Sequence, residues 1–495
     1  MAVVYPFSSA ILGLFERDGV LHAAGRDTLW RFDGGDWQTV ARTVYSEAEG
    51  TLTAQGHWYY VSAQAGDEAG QMRLRFADVF GTGLQRADLL LPKAFGAQRF
   101  GSGERLVIAA EKSQTLVVVE ADGRVARHAL TEPAHDDPKA EALIDAQGRY
   151  LVALRPDARE AVCTSLADGS RVWTYRCEDG LHRQMVLGRE TVFIVERVQW
   201  QDSYFSKLRL TALALEDGTL RWSQDLDADN DMPVGSHGSG LEITAGAGAV
   251  WAPYFGDAVG WDELTGDEIF RQPHGMVRTH AVQVFNDRYV LASGYKDERF
   301  TAPVGLLWTR DAALLGKFEM PKPKGKDEWG HAFSLRNRYW SHRPRPQLLE
   351  LGDALALVVD AQNAKTYEIE PYTRAACGVL LLERGLLGGK KAIKPVRAAL
   401  AQFERSEVVS GKQKALRLTL LAPASGYALL EGLAQALQHT VLEYRFAKKI
   451  DRRIEVDLSP LDAATRAQAV DWMAHVQRRF VESEGGATPW TFAAV

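Results

Sequence analysis

Three histidines recur at nearly constant intervals, and by type and spacing they are the residues best suited to chemistry. They are His237, His280 and His331, with His182 as a looser fourth member. Imidazole is a common metal ligand that titrates near neutral pH, so rings facing one axis would form a transition-metal site or an acid–base pair. The alternative, which we favour, is that each ring hydrogen-bonds neighbouring strands from a loop.

A run of alternating aspartates is the densest carboxylate cluster in the chain. The four carboxylates belong to Asp225, Asp227, Asp229 and Asp231. Their spacing resembles the start of a calcium-binding loop, but Asn230 replaces the usual glycine and Ser236 replaces the closing acidic residue. Because the turn and the ligand set are both incomplete, we expect a polar turn whose carboxylates accept backbone N–H bonds, with calcium binding as the alternative.

Motifs for other chemistries are absent from the sequence, so we expect no resident cofactor. There is no G-x-x-x-x-G-K-[ST] phosphate loop, no H-E-x-x-H zinc motif, no G-x-S-x-G elbow and no C-x-x-C pair. The basic segment Lys322–Asp327, followed by Trp329, suits an acidic protein surface better than a nucleic acid. A binding protein is therefore expected more than an enzyme.

Turns of the Asp-Gly type recur along the first three quarters of the chain and indicate the elements that position these residues. From Gly123 to Ala312 the steps are 46, 49, 48 and 46 residues, close to the period of four-stranded propeller blades. Most of the turns lie between two β-type segments, as in a hairpin. Eight such units fit into residues 1–370, so we predict a mainly β fold, a β-propeller with eight blades favoured and seven as the alternative.

The turns also carry a family resemblance. The segments Asp168–Trp173, Asp217–Trp222 and Thr265–Phe270 resemble the D/T-G-x-x-x-W pattern of quinoprotein-like (PQQ-like) propeller repeats, and Trp261-Asp262 and Gly330-His331 resemble pairs found in WD40 repeats. The resemblance implies a non-enzymatic propeller whose large rings pack between adjacent sheets. The rings expected in this role are those of Trp173, Trp222, Phe270 and Trp261.

The pattern changes after residue 370. Residues 371–395 are predicted to be a transition and linker, because Gly385–Pro395 is rich in glycine and lysine. Residues 396–495 are predicted to form a small α/β domain. Its expected elements are a helix at Val396–Phe403, a strand at Leu416–Leu421, a helix at Ser425–Gln438, strands at Thr440–Phe446 and Arg453–Leu458, a helix at Ser459–Glu484 and a last strand at Thr488–Val495. From them we predict a ferredoxin-like βαββαβ plait.

Composition narrows the class of protein. The chain has 495 residues, a formal net charge of −6 and 25% charged residues, which argues against a dedicated nucleic-acid binder and against global disorder. Its three cysteines favour reduced thiols and a cytoplasmic location. No apolar run is long enough to cross a bilayer, and the N-terminus does not resemble a signal peptide, so no membrane span is expected.

These features together predict a protein–protein interaction scaffold or adaptor in an intracellular assembly, which binds its partner through propeller loops and the C-terminal domain. The architecture resembles that of β-propeller partners of bacterial MoxR ATPase and von Willebrand A proteins, which makes such proteins candidate partners. Two alternatives stay open. One is a metal-dependent lyase or hydrolase at the histidines, and the other is an immunity or regulatory protein that binds a single toxin or effector.

Overall fold

A computed structural model gives strands along most of the chain and two long helices near its end. It describes all residues except 9–10, 26–27, 43–47, 53–57, 66–70, 79–86, 93–96, 103–104, 111–114, 120–123, 131–141, 156–158, 178–180, 201–205, 227–242, 277, 297–302, 320–330, 335–347, 364–376, 411, 445–446, 448–449 and 484–489. Neither of the long helices in the described part combines the length and apolar character needed to cross a membrane.

Seven antiparallel sheets, numbered 1 to 7 here, follow one another along the chain, and each is built from four consecutive strands. Sheets 1 to 4 contain β2 (Ile11–Arg17), β3 (Val20–Gly25), β4 (Thr28–Asp33) and β5 (Asp36–Arg42); β6 (Ala48–Leu52), β7 (Trp58–Ala65), β8 (Gln71–Asp78) and β9 (Ala87–Pro92); β10 (Ala97–Ser102), β11 (Arg105–Ala110), β12 (Thr115–Val119) and β13 (Val125–Ala129); and β14 (Ala142–Ile144), β15 (Tyr150–Arg155), β16 (Glu160–Ser165) and β17 (Arg171–Arg176). Sheets 5 to 7 contain β18 (Leu181–Leu187), β19 (Thr191–Trp200), β20 (Ser206–Ala214) and β21 (Leu220–Leu226); β22 (Thr244–Gly246), β23 (Ala249–Tyr254), β24 (Asp257–Asp262) and β25 (Glu268–Pro273); and β26 (Arg278–Phe285), β27 (Tyr289–Tyr295), β28 (Pro303–Thr309) and β29 (Leu314–Glu319).

Neighbouring sheets meet through their first strands. Strand β2 contacts β6, and the contacts continue from β6 to β10, β14, β18, β22 and β26. Apolar side chains from facing sheets share cores, as where Val152 and Trp173 of sheet 4 pack with Val192 and Leu213 of sheet 5. Sheets 4 and 5 thus bury facing sides against each other, as neighbouring propeller blades do. The mainly β, propeller-type architecture is as predicted.

An eighth sheet joins the two ends of the repeat region. Its strands are β1 (Ala2–Phe7), β30 (His331–Ser334), β31 (Leu348–Leu351), β32 (Ala354–Asn363), β33 (Cys377–Glu383) and β34 (Val396–Arg397). Strand β1 lies between β33, to which it is antiparallel, and β34, to which it is parallel. Strand β30 contacts sheet 7 through β27 and β28, while β31 and β32 contact β2 of sheet 1. The first strand of the chain therefore completes a sheet whose other strands lie more than 300 residues away.

The C-terminal unit contains a four-stranded sheet and both helices. Its elements are β35 (Phe403–Ser410), β36 (Gln413–Leu420), α1 (Gly426–Tyr444), β37 (Ile450–Asp457), α2 (Ala463–Ser483) and β38 (Thr491–Ala494). The sheet order is β35-β36-β37-β38, with the first pair antiparallel and the other two parallel. This topology is ββαβαβ, so the predicted ferredoxin-like βαββαβ plait is wrong.

Two local predictions in this unit are wrong, and β35 was not predicted. Val396–Phe403, predicted to be a helix, instead contains β34 and then an extended stretch whose Ala398 N–H donates to the Val4 carbonyl. Thr440–Phe446, predicted to be a strand, largely belongs to the last turns of α1. β-branched and aromatic residues favour strands, but Val441 joins the apolar face of the helix, and burial outweighs intrinsic propensity. Helix α2 begins later than predicted because the Asp462 carboxylate caps its first turn.

The predicted linker 371–395 holds ordered structure in its described part. It contains β33, and the segment after β33 runs along β29 of sheet 7. There the Ile393 N–H donates to the Lys317 carbonyl at 2.8 Å, and the Glu319 N–H donates to the Ile393 carbonyl at 2.9 Å. These bonds satisfy backbone groups on the outer edge of sheet 7, which the glycine-rich composition did not predict.

Among the described residues, the largest hydrophobic core extends across the propeller and the C-terminal unit. It combines Phe7, Trp30 and Trp37 with Leu433 of α1 and Trp472 of α2. The helices also pack against their own sheet in this core, so they lie between that sheet and sheet 1. The C-terminal unit is therefore fused to the first sheet of the propeller rather than tethered to it.

Candidate interaction surfaces

The turns between the third and fourth strands of sheets 4, 5 and 6 share one hydrogen-bond pattern. In sheet 5 the Gly218 N–H donates to the Ala214 carbonyl, and the Ala214 N–H donates to the Thr219 carbonyl. Gly218 has a φ of +73°, a left-handed conformation that favours glycine. Asp217 accepts hydrogen bonds from the N–H and hydroxyl of Thr219, which lower the pKa of the Asp217 carboxyl. The Asp-Gly pair thus sets the turn and keeps a negative charge beside it.

A tryptophan from sheet 4 packs against this turn of sheet 5. The indole N–H of Trp173 donates to the Leu215 carbonyl at 2.8 Å. A Cβ atom built on Gly218 would lie 2.7 Å from the Trp173 ring. Glycine is therefore required at this position both for its backbone conformation and for the space that the indole occupies.

The same arrangement recurs one sheet further along. The Trp222 indole N–H donates to the Glu263 carbonyl at 3.1 Å, and a Cβ atom on Gly266 would lie 2.8 Å from the Trp222 ring. The Glu263 carboxylate is buried and accepts the Glu190 N–H at 2.7 Å, which adds a second bond between sheets 5 and 6. Repeated contacts of this kind hold successive turns at a constant spacing.

The other two rings named from the sequence, those of Phe270 and Trp261, are buried. Phe270 packs against Trp251 of its own sheet, at 5.4 Å between ring centroids, and against Trp308 of sheet 7, at 6.2 Å. Trp261 is 2% exposed and packs against Tyr254 at 6.1 Å. The sheet boundary from 6 to 7 thus uses a phenylalanine where the two preceding boundaries use tryptophan.

An exposed aromatic residue lies at the tip of the β23–β24 hairpin. Phe255 and Gly256 both have positive φ angles, of +49° and +79°, as a two-residue primed hairpin turn requires. Asparagine or glycine suits the first position, and a bulky side chain there is strained. Phe255 is 48% exposed, and its ring meets that of Tyr254 edge-on, with 4.4 Å between the ring centroids. A rigid, strained and exposed aromatic group is the kind of feature that marks a binding surface.

Helix α1 binds the backbone where β1 leads towards β2. The Ser8 N–H donates to the Glu431 carboxylate at 2.6 Å, and the Gln438 amide donates to the Ser8 carbonyl at 3.0 Å. The Tyr427 hydroxyl donates to the Pro6 carbonyl. Glu431 is fully buried, and burial together with Glu431 raises the pKa of Tyr427 well above its usual value. Three side chains of one helix therefore fix the start of the propeller chain.

Of the predicted catalytic and metal-binding residues, Asp225 alone has a side chain in the part of the chain that the structure describes. His237, Asp227, Asp229 and Asp231 lie outside the described residues, as does Lys322–Asp327. His280 lies in β26, His331 in β30 and His182 in β18. Asp225, at the end of β21, pairs with Arg209 at 2.8 Å. In the part of the chain that the structure describes, no three His, Cys, Asp or Glu residues are close enough together to hold a metal ion.

Two of the three cysteines lie in the described core, and neither of them is in a disulfide. Both Cys163 and Cys177 are buried, and burial raises the pKa of the Cys163 thiol to about 12. The nearby Asp145 carboxylate acts in the same direction. Because the thiolate is the reactive form, Cys163 is suited to packing rather than to chemistry.

Sequence reasoning missed the two features that the structure makes prominent. Phe255-Gly256 is a two-residue turn between strand-like runs, and that pattern was a signal for a hairpin with an unusual first residue. Glu431 gave no signal, because a single glutamate in a helix is ordinarily solvated. Only the packing of α1 on the N-terminal segment shows that it is buried.

Comparison with known families bears on the repeat region. Residues 112–317 match the family model for PQQ repeats described as outer membrane protein assembly factor BamB. These residues carry PQQ-like propeller repeats. The resemblance seen in the turn motifs is thereby confirmed, with the subfamily unspecified. The match includes the Trp173 and Trp222 contacts of the PQQ-like repeats and the hairpin of Phe255.

Several solved structures are similar to the chain at low identity. BamB from Moraxella catarrhalis is 14% identical, with a TM-score of 0.37, over 76% of this chain and 97% of that one. The dihydro-heme d1 dehydrogenase NirN is 14% identical, with a TM-score of 0.39, over 63% and 68%. Virginiamycin B lyase from Staphylococcus aureus is 9% identical, with a TM-score of 0.34, over 59% and 96%. No curated protein matches the chain in sequence.

Proposed function

We propose that this chain is a protein–protein interaction scaffold in which a closed, eight-bladed propeller and the C-terminal unit act as one rigid body. The eight sheets that contact one another in sequence, with sheet 8 touching both sheet 7 and sheet 1, support the closed ring. The Trp173 and Trp222 contacts and the shared core with α1 and α2 support rigidity. A rigid body loses little conformational entropy on binding, which favours a role as a platform.

The observation that carries the proposal is Phe255. Its ring is exposed although its backbone is strained, and Tyr254, which itself packs against Trp261, contacts the ring edge-on. Asparagine would relieve the strain, so the residue reduces stability where it stands. If the Phe255 ring anchors a partner, binding gives a physical reason for this loss of stability. The matched repeat family is described as an assembly factor, and an assembly role is what the proposal assigns here.

Affinity capture from the source organism with three forms of the tagged chain tests the proposal. The Phe255→Asn form removes the anchor and relieves the strain. The Ala247→Asn form is the matched control, because Ala247 has a φ of +56° in the corresponding turn of the β22–β23 hairpin of the same sheet. We expect the wild type and Ala247→Asn to retain the same stoichiometric partner and Phe255→Asn to lose it while folding at least as stably. No partner for any form, or equal capture by all three, contradicts the proposal.

A further inference from the structure

We propose a second binding site at the boundary between sheets 5 and 6, formed by Leu220 and Leu264, for a protein segment that presents apolar side chains between lysine or arginine residues. The site deepens the scaffold function and rests on it. Phe255 lies at one end of β24, next to Asp257, and Leu264 lies two residues beyond Asp262 at the other end. The second site is therefore at the opposite end of sheet 6 from Phe255. A scaffold with one anchor at each end can hold two partners at once.

Both leucines are exposed on a rigid support. Leu220 is 60% exposed and Leu264 is 57% exposed. Each lies within two residues of the contact in which the Trp222 ring packs against Gly266. Their backbone is therefore held by the hydrogen bond from Trp222 to Glu263 and by the turn, so little entropy is lost when a partner packs against them.

The apolar pair is absent from the preceding boundary, between sheets 4 and 5. Between sheets 4 and 5, Arg171 is equivalent to Leu220, because each is the first residue of the fourth strand of its sheet. Glu216 is equivalent to Leu264, because each follows the residue whose carbonyl accepts the indole N–H. Both of those residues are exposed and charged. The repeat therefore accepts charged residues at these positions, and neither leucine is required for the architecture. Because the fold does not need these leucines, we assign them to contact with a partner, on the strength of the charges that surround them.

The charges around the pair define the partner. The two turns, residues 215–221 and 262–268, contain six carboxylates and one guanidinium. They are Glu216, Asp217, Asp262, Glu263, Asp267 and Glu268, against Arg221. Glu216, Asp217, Asp267 and Glu268 are exposed, and of these Glu268 is paired with Arg271 at 2.5 Å. Asp217 is held ionised by its hydrogen bonds from Thr219. An apolar pair within such a negative rim complements an apolar segment with basic flanks.

A displayed library of random dodecapeptides, selected on the immobilised full chain, tests the site. We expect the enriched peptides to carry leucine, isoleucine or phenylalanine between lysines or arginines. Synthetic forms of these peptides are then titrated by fluorescence anisotropy against wild type, the Leu220→Ser/Leu264→Ser double variant and Leu421→Ser. Leu421 is the matched control because it is 56% exposed on the C-terminal unit.

The expected loss for the double variant is about tenfold in affinity, with no change for Leu421→Ser. An Asp217→Asn/Asp267→Asn variant keeps both leucines and should bind a few-fold more weakly at low salt, with a smaller salt dependence. Enriched peptides that are acidic or uncharged, or that bind the double variant as tightly as wild type, overturn the site. If capture through Phe255 persists in that case, the scaffold function stands. Absence of any captured partner overturns the scaffold function itself.

Discussion

The Trp173 indole occupies the space in which a side chain on Gly218 of the next sheet would lie. The ring approaches to 2.7 Å of the position of a Cβ atom there, and its N–H bonds the Leu215 carbonyl three residues earlier. One residue pair therefore couples the turn of sheet 5 to the outer strand of sheet 4. This coupling explains why the Asp-Gly and Trp positions recur together in the sequence.

Gly218→Ala is expected to destabilise the protein by about 2–4 kcal/mol, because the new methyl group meets the ring and the left-handed backbone is unfavourable for alanine. Gly19→Ala is the matched control, since Gly19 has a φ of +75° with no atom within 4 Å of its Cβ position. That variant should lose only about 1 kcal/mol. Urea unfolding followed by tryptophan fluorescence measures both. Equal losses would mean that the Trp173 contact contributes nothing beyond backbone strain.

Glu431→Ala is expected to cost about 2–4 kcal/mol of unfolding free energy, because it leaves the Ser8 N–H without its acceptor and opens space in a buried region. Glu443→Ala removes a carboxylate from the same helix, where it pairs with Arg405 at a partly exposed position. That control should change stability by less than about 1 kcal/mol. Thermal unfolding and limited proteolysis at the N-terminal strand measure the effect. If Glu431→Ala left the unfolding free energy unchanged, α1 would not fix this segment.

His274 makes part of the unfolding free energy depend on pH. Burial lowers the pKa of His274 to about 4, and Asp257 opposes this only in part. The unfolded state therefore binds a proton near pH 6.5 that the folded state does not bind, so this contribution is present above pH 6.5 and is lost as the pH falls towards 4. The full loss is roughly 3 kcal/mol.

The contribution of His274 is separated from that of other groups by comparison with His274→Asn, whose side chain can still accept the Met276 N–H that His274 Nδ1 accepts at 3.1 Å. Between pH 7 and pH 4.5 the wild type should lose more unfolding free energy than the variant does. A difference that does not change with pH would show that His274 titrates normally in the folded protein.

Features of local sequence predicted much of the propeller region. The spacing of Asp168, Asp217 and Thr265 predicted its hairpins, and between the sheets Trp173 lies buried and Trp222 partly buried. The candidate histidines and aspartates could not be evaluated from spacing alone, because a shared period does not show where a side chain points. The anchor at Phe255 depends on a positive φ, which phenylalanine rarely adopts.

The sequence by itself determined the hairpins of the repeat region, their Asp-Gly turns and the repeat period, because these depend on interactions between residues close together in the chain. Only the tertiary structure decided that β1 pairs with β33, with Ala2 opposite Leu382, and that α1 and α2 bury their apolar faces on sheet 1. Those pairings depend on which strand edges and apolar faces remain uncovered once the sheets have formed. No local propensity encodes that information, and the C-terminal topology was wrong for the same reason.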